Sequence, residues 1–206
     1  MPQSLDLFPI GNCAASGLID RAGRLVWACA PRVDGDPMFS SLLGPDPDAE
    51  PDAQGFWGVE VEDQAQVTQT YLRNTPILVT EIADRSGAAI QVIDFCPRYR
   101  QFGRVYRPLA FIRLIRPVSG VARVRIRLRP TVNWGERPAD RTTGSNHIRY
   151  VGGETTLRLT TDAPVSHLTG ERSFRLEETV AMFLGPDEGF DAALSAMAAT
   201  GRHMDK

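Results

Sequence analysis

An Asp-Arg-x-Gly tetrapeptide occurs twice in this chain, each time between two apolar, β-branched runs. Asp20-Arg21-Ala22-Gly23 follows Leu18-Ile19 and precedes Leu25-Val26-Trp27. Asp84-Arg85-Ser86-Gly87 joins Ile77–Ile82 to Ala89–Phe95. Aspartate at the first turn position accepts bonds from the amides that follow it, and glycine at the last takes a positive φ that other residues resist. Both tetrapeptides therefore predict tight β-hairpins. The likeness is shared turn chemistry and does not show a duplicated domain.

The rest of the chain keeps the same rhythm, with strand-like alternation broken by turn residues every eight to twelve positions. That spacing predicts an all-β fold, a large antiparallel two-sheet sandwich. Further strands are expected at Phe56–Glu62, Gln66–Leu72, Leu109–Ile115, Val121–Leu128, Thr155–Thr160 and Thr179–Leu184. Leu109–Ile115 is apolar on both faces and so belongs at the centre of a sheet. After Pro31, Asp36-Pro37 can start a helical turn over Met38–Leu43. The prolines and carboxylates of Gly44–Asp52 predict a surface loop. Near the end, Phe190–Met204 is rich in alanine, leucine and methionine after the Gly185-Pro186 breaker, which predicts a helix.

At 206 residues, 42% of them hydrophobic, the chain can bury one sizeable core. A net charge of −2 supplies no global field for nucleic acid or an anionic membrane. The first residues lack a basic start and an apolar run, so no signal peptide is read there, and no apolar stretch is long enough to span a bilayer. Cys13, Cys29 and Cys96 are odd in number and widely spaced, which suits thiols in a reducing cytoplasm. No metal site or other cofactor is expected.

Several segments closely resemble the N-terminal domain of bacterial glycoside hydrolase family 15 proteins, the glucoamylase-like and trehalase-like enzymes. The family's I-G-D/N-C element is matched by Ile10-Gly11-Asn12-Cys13, and its D-W-L-C by Val26-Trp27-Ala28-Cys29. Its P-R-F-D-S-P is matched by Pro31–Pro37, and F-x-x-L-L-G by Phe39–Gly44. Tyr71–Thr80, Val92–Pro97 and Arg129–Gly135 resemble Y-x-x-x-T-x-x-L-x-T, V-x-D-F-M-P and R-P-x-F-D-Y-G. The resemblance runs from about residue 5 to about residue 184. It departs at Ala14, Val33, Gly35 and Asn133-Trp134, which bear on substrate preference if those positions touch substrate.

The resemblance implies a supersandwich over residues 1–188, with 189–206 starting a helical linker to an (α/α) barrel that this chain does not contain. Hydrolysis in such enzymes inverts the anomeric carbon and uses two glutamates of the barrel. No motif here matches either, so no catalytic residue is assigned in this chain. Glu177-Glu178 are strand neighbours whose side chains point apart, and they read as surface charges. His147, His167 and His203 lack metal-ligand or triad spacing. Cys96 stands where the family has methionine and reads as packing.

Two sets of residues remain as candidates for the substrate rim or a domain interface. Asn12, Arg32 and Asp34 could bond turn amides or reach an active-site rim, and Trp27 lies in the same segment. Trp57 reads as core. Trp134, in a loop, could pack locally or meet a sugar or a neighbouring domain. The second set is a ladder: period two puts Arg123, Arg125, Arg127 and Arg129 on one face of a strand, with Val124, Ile126 and Leu128 on the other. It could be an outer face with acidic partners across the strand, an interface, or a phosphate-binding surface. The overall expectation is a non-catalytic domain whose partner is its own catalytic barrel. α-Glucoside would be reached only through the whole enzyme, with no nucleic acid or membrane involved. The alternatives are a stand-alone carbohydrate-binding sandwich and a protein-interaction domain using the ladder.

Overall fold

The computed structural model describes residues 5–45, 47–48 and 50–187. Both Asp-Arg-x-Gly hairpins form. Asp20 Oδ1 accepts the amides of Ala22 and Arg24 at 2.9 Å each, and Gly23 has φ 79°. Asp84 Oδ1 accepts Ser86 and Ala88 at 2.7 and 2.9 Å, and Gly87 has φ 91°.

Most strands assemble into two antiparallel sheets, with two further strand pairs standing apart, Tyr99–Gln101 with Arg104–Tyr106 and Thr131–Val132 with Arg137–Pro138. The smaller sheet runs in the order Phe8–Gly11, Ser16–Ile19, Leu25–Cys29, Phe56–Val61, Arg123–Arg129, Phe174–Arg175, with Pro37–Phe39 also pairing with Leu25–Cys29. The larger runs Asp140–Thr143, His147–Val151, Leu157–Thr161, Val180–Pro186, Phe111–Ser119, Ala89–Phe95, Leu78–Asp84, Gln64–Tyr71. The apolar segment expected at a sheet centre is there, as Phe111–Ser119 between two partners. The fold is the expected all-β sandwich. Ile19, Leu25, Phe39, Trp57, Val124 and Ile126 from one sheet meet Leu78, Ile82, Ile90, Phe111, Ile115 and Leu184 from the other in one core.

Two local expectations need correction. Met38–Leu43 is not one helical turn. Pro37–Phe39 joins the smaller sheet and only Ser41–Leu43 coils, as a 3-10 turn. Met38 and Phe39, 4% and 0% exposed, gain more from burial against the core than a short exposed helix could return. Arg113, the one charged residue in the run expected to be apolar on both faces, faces inward and is completely buried. The helix expected at Phe190–Met204, the start of the linker and His203 lie outside the described residues.

Candidate functional site

The sheet registers bring most of the candidate loops to one end of the sandwich. Gly11 pairs with Ser16, and Gly17 with Ala28, so the loop after Gly11 and the loop after Cys29 share an end. Leu25 pairs with Trp57 and Phe56 with Arg129, which sends Pro130–Gly135 toward the same end. The connection from Phe95 to Phe111 joins them, because Asn12 reaches it directly.

Asn12 is 2% exposed and all four of its side-chain bonding positions are filled. Its Nδ2 donates to Pro97 O and Pro108 O, both at 2.8 Å. Its Oδ1 accepts the amides of Ala14 and Ala15 at 2.9 and 2.8 Å. The residue therefore closes its own turn and also ties together the two feet of the segment between the prolines. A side chain so committed has no capacity left for substrate.

Arg32 and Asp34 form an exposed bidentate pair, Nε–Oδ1 2.8 Å and Nη2–Oδ2 2.9 Å. The Arg32 bond holds the Asp34 carboxyl below its usual range. In the same loop, Asp36 accepts the backbone amides of Asn133 and Trp134, both at 2.7 Å. Asn133, Trp134 and Gly135 have φ of 55°, 58° and 89°, a left-handed run that turns successive amides toward one anion. Asp36 is that anion, and the turn it holds presents Trp134 at 59% exposure. Asp36→Ala is expected to cost about 1–2 kcal/mol and to release this turn, with a lower urea midpoint and increased amide exchange at 133–136. The recess between these loops, bordered by Asp36, Met38, Thr131, Tyr150 and Glu154, holds about 20 Å³. That admits a single water and no sugar ring.

Trp27 lies within its strand opposite Leu18, half-buried, and not in the end loops themselves. Trp57 is core at 1% exposure, as expected. Glu177 and Glu178 are exposed. Cys96 is buried, and burial pushes its thiol up to about 12, which leaves no thiolate for chemistry. Among the described residues no group of three His, Cys, Asp or Glu side chains could hold a metal ion, and no helix is long and apolar enough to cross a membrane.

The arginine ladder lies on the outer face of the smaller sheet, with acidic partners across the strands. Arg123 meets Glu62 at 3.0 Å. Arg125 and Arg127 meet Glu60 at 3.7 and 2.8 Å. Arg129 bonds Glu171 through both oxygens at 2.7 Å. Burial pushes the Glu171 carboxyl up, but Arg129 and Arg127 outweigh it and hold it below its usual range. A lowered folded pKa stabilises above the unfolded value, and that stability is lost as pH falls through the folded value. Glu171→Gln is therefore expected to cost about 1 kcal/mol near pH 7 and close to nothing in acid, read from urea midpoints across pH.

One fully buried polar contact joins residues that sequence reasoning did not pair. Arg113 Nε and Nη2 grip Asp94 at 2.7 and 3.1 Å within the larger sheet. Its Nη1 and Nη2 then cross to the smaller sheet, donating to Trp57 O at 2.7 Å and Gly23 O at 3.0 Å. The guanidinium lies 4.8 Å from the centre of the Trp57 ring. An arginine within Leu109–Ile115 and an aspartate within Val92–Phe95 were the available signal.

The fold and these loops define an antiparallel β-sandwich domain whose end loops are locked by Asn12 and Asp36, with a larger recess of about 220 Å³ away from them, beside Asp20, Arg24, Val26 and Asp48. The chain belongs to the trehalase-like N-terminal domain family, whose model matches residues 6–178. It is similar to a trehalase of Thermoplasma volcanium, 26% identical over 129 residues that make up 62% of this chain and 19% of that protein. A trehalase of Thermoplasma acidophilum is 27% identical over 124 residues, 59% of this chain and 20% of the relative. The chain thus spans about a fifth of the length of the curated relatives it matches. No solved structure matches.

Proposed function

We propose that this chain is the non-catalytic N-terminal domain of a glycoside hydrolase family 15 enzyme, trehalase- or glucoamylase-like, that cleaves α-glucosides. It packs on the enzyme's catalytic barrel through the end where Asn12, Arg32, Asp34 and Trp134 cluster, and it stabilises that barrel. The observation that carries this is the family match over residues 6–178 together with the match of about three fifths of the chain to only a fifth of each of two proteins named trehalase. A cytoplasmic location fits, since Cys13, Cys29 and Cys96 are free thiols.

The purified 206-residue chain is expected to release no glucose from trehalose or maltose above a mock preparation. Turnover that survives repurification would overturn the proposal. The exposed ring of Trp134 favours a second reading, a carbohydrate-binding sandwich. That reading requires saturable glucan binding by the chain alone, abolished by Trp134→Ala. The pairing of every ladder arginine gives no support to an interaction domain built on Arg123–Arg129.

A further inference from the structure

Between Phe95 and Phe111 the chain leaves the larger sheet as an arm. Its strands, Tyr99–Gln101 and Arg104–Tyr106, pair only with each other. Residues 98–107 hold four arginines, two tyrosines and a phenylalanine, with no carboxylate. Arg98, Arg100, Arg104 and Arg107 are all exposed. The side chains of Arg100, Arg104 and Arg107 make no hydrogen bond or ion pair among the described residues, and Arg98 reaches only Cys13 Sγ at 4.0 Å. Elsewhere among the described residues most arginines are paired, as the ladder, Arg24, Arg32 and Arg113 show, and the unpaired ones, Arg73, Arg85, Arg141 and Arg172, are scattered along the chain and not clustered in one segment.

The arm is built to hold its shape. Phe102 and Gly103 have φ of 50° and 73°, a two-residue turn whose twist matches the strands. Tyr99 and Tyr106 stack across the strands at 5.6 Å and 13°. Asn12 ties the feet at Pro97 and Pro108. At the tip Phe102 is 87% exposed, and a Cβ on Gly103 would meet nothing within 4 Å. Shape fixed in advance lowers the entropy lost on binding, and clustered arginine and aromatic side chains are the composition of interface anchors.

We infer that this arm docks on an acidic protein surface, carried by the part of the parent protein that lies outside this chain. The inference rests on the proposal that the chain is one domain of a larger enzyme. Four guanidiniums without a carboxylate partner among the described residues call for carboxylates, which the arm itself lacks. The strand Val180–Pro186 ends beside it, since Leu184 pairs with Phe111, so the chain runs on from that end of the sandwich. In relatives the matched part is only about a fifth of the protein, which leaves ample further chain to carry such a surface. A protein is favoured over nucleic acid because the chain as a whole carries −2 and has a pI near 5.9.

Hydrogen exchange in the full-length parent and in this chain tests it, with Arg100→Glu/Arg104→Glu in both. Residues 99–106 are expected to exchange about tenfold more slowly in the parent. The double variant is expected to abolish that protection and lower the parent's Tm by several degrees, while leaving the Tm of the 206-residue chain unchanged. If the loops at 31–36 and 133–136 slow in the parent but the arm does not, the arm assignment falls and the packing proposal stands. If no loop slows, or if the reading frame stops at Lys206, both fall. A DNA duplex of about 20 base pairs that protects the arm in this chain alone at physiological salt would give the arm to nucleic acid and overturn the assignment.

Discussion

Asp94→Ala is expected to destabilise the chain by about 3–5 kcal/mol, read as a lower urea midpoint at unchanged m-value. The loss is not mainly that of the ion pair. It comes from leaving the Arg113 guanidinium, 0% exposed, without its counter-charge between two apolar layers. Arg113→Met is expected to cost a similar amount, because it strips Asp94 of its partner and frees the carbonyls of Trp57 and Gly23 on the opposite sheet. Combining the substitutions is expected to recover a large part of either single loss, since two apolar side chains need no counter-charge. Additive losses would show that each residue acts alone and would refute this account of the pair.

Asn12→Ala is expected to cost about 3 kcal/mol, the second largest effect. Two carbonyls and two amides lose their partners together, and a side chain 2% exposed leaves little room for water to replace it. The same substitution is expected to speed amide exchange across residues 98–107, because the feet of the arm are no longer tied. A change confined to residues 12–15 would mean that Asn12 only closes its own turn. Trp134→Ala, by contrast, is expected to leave stability within about 0.5 kcal/mol, since its ring is mostly in solvent.

The two hairpins were legible because their determinants are local. An aspartate that accepts its own turn amides and a glycine at positive φ act within five residues. The ladder was legible for a related reason: period two fixes which side chains share a face, whatever packs against them. The place of Asn12 was half legible. Its bonds to Ala14 and Ala15 belong to the turn, but those to Pro97 and Pro108 span 85 and 96 residues. Trp134 could be put in a loop from its neighbours, yet its exposure depends on Asp36, nearly a hundred residues away.

Sequence alone determined the all-β class, the hairpin turns, the alternation of faces and the likeness to trehalase-like N-terminal domains, because each rests on near neighbours or on residue order. Tertiary structure alone decided that Pro37–Phe39 would be a strand, that Arg113 would bolt the sheets together and that the arginines of the arm would lack carboxylate partners among the described residues. Those outcomes depend on which distant surfaces meet. Burial and charge pairing between elements far apart in the chain are settled only when the two sheets close on each other.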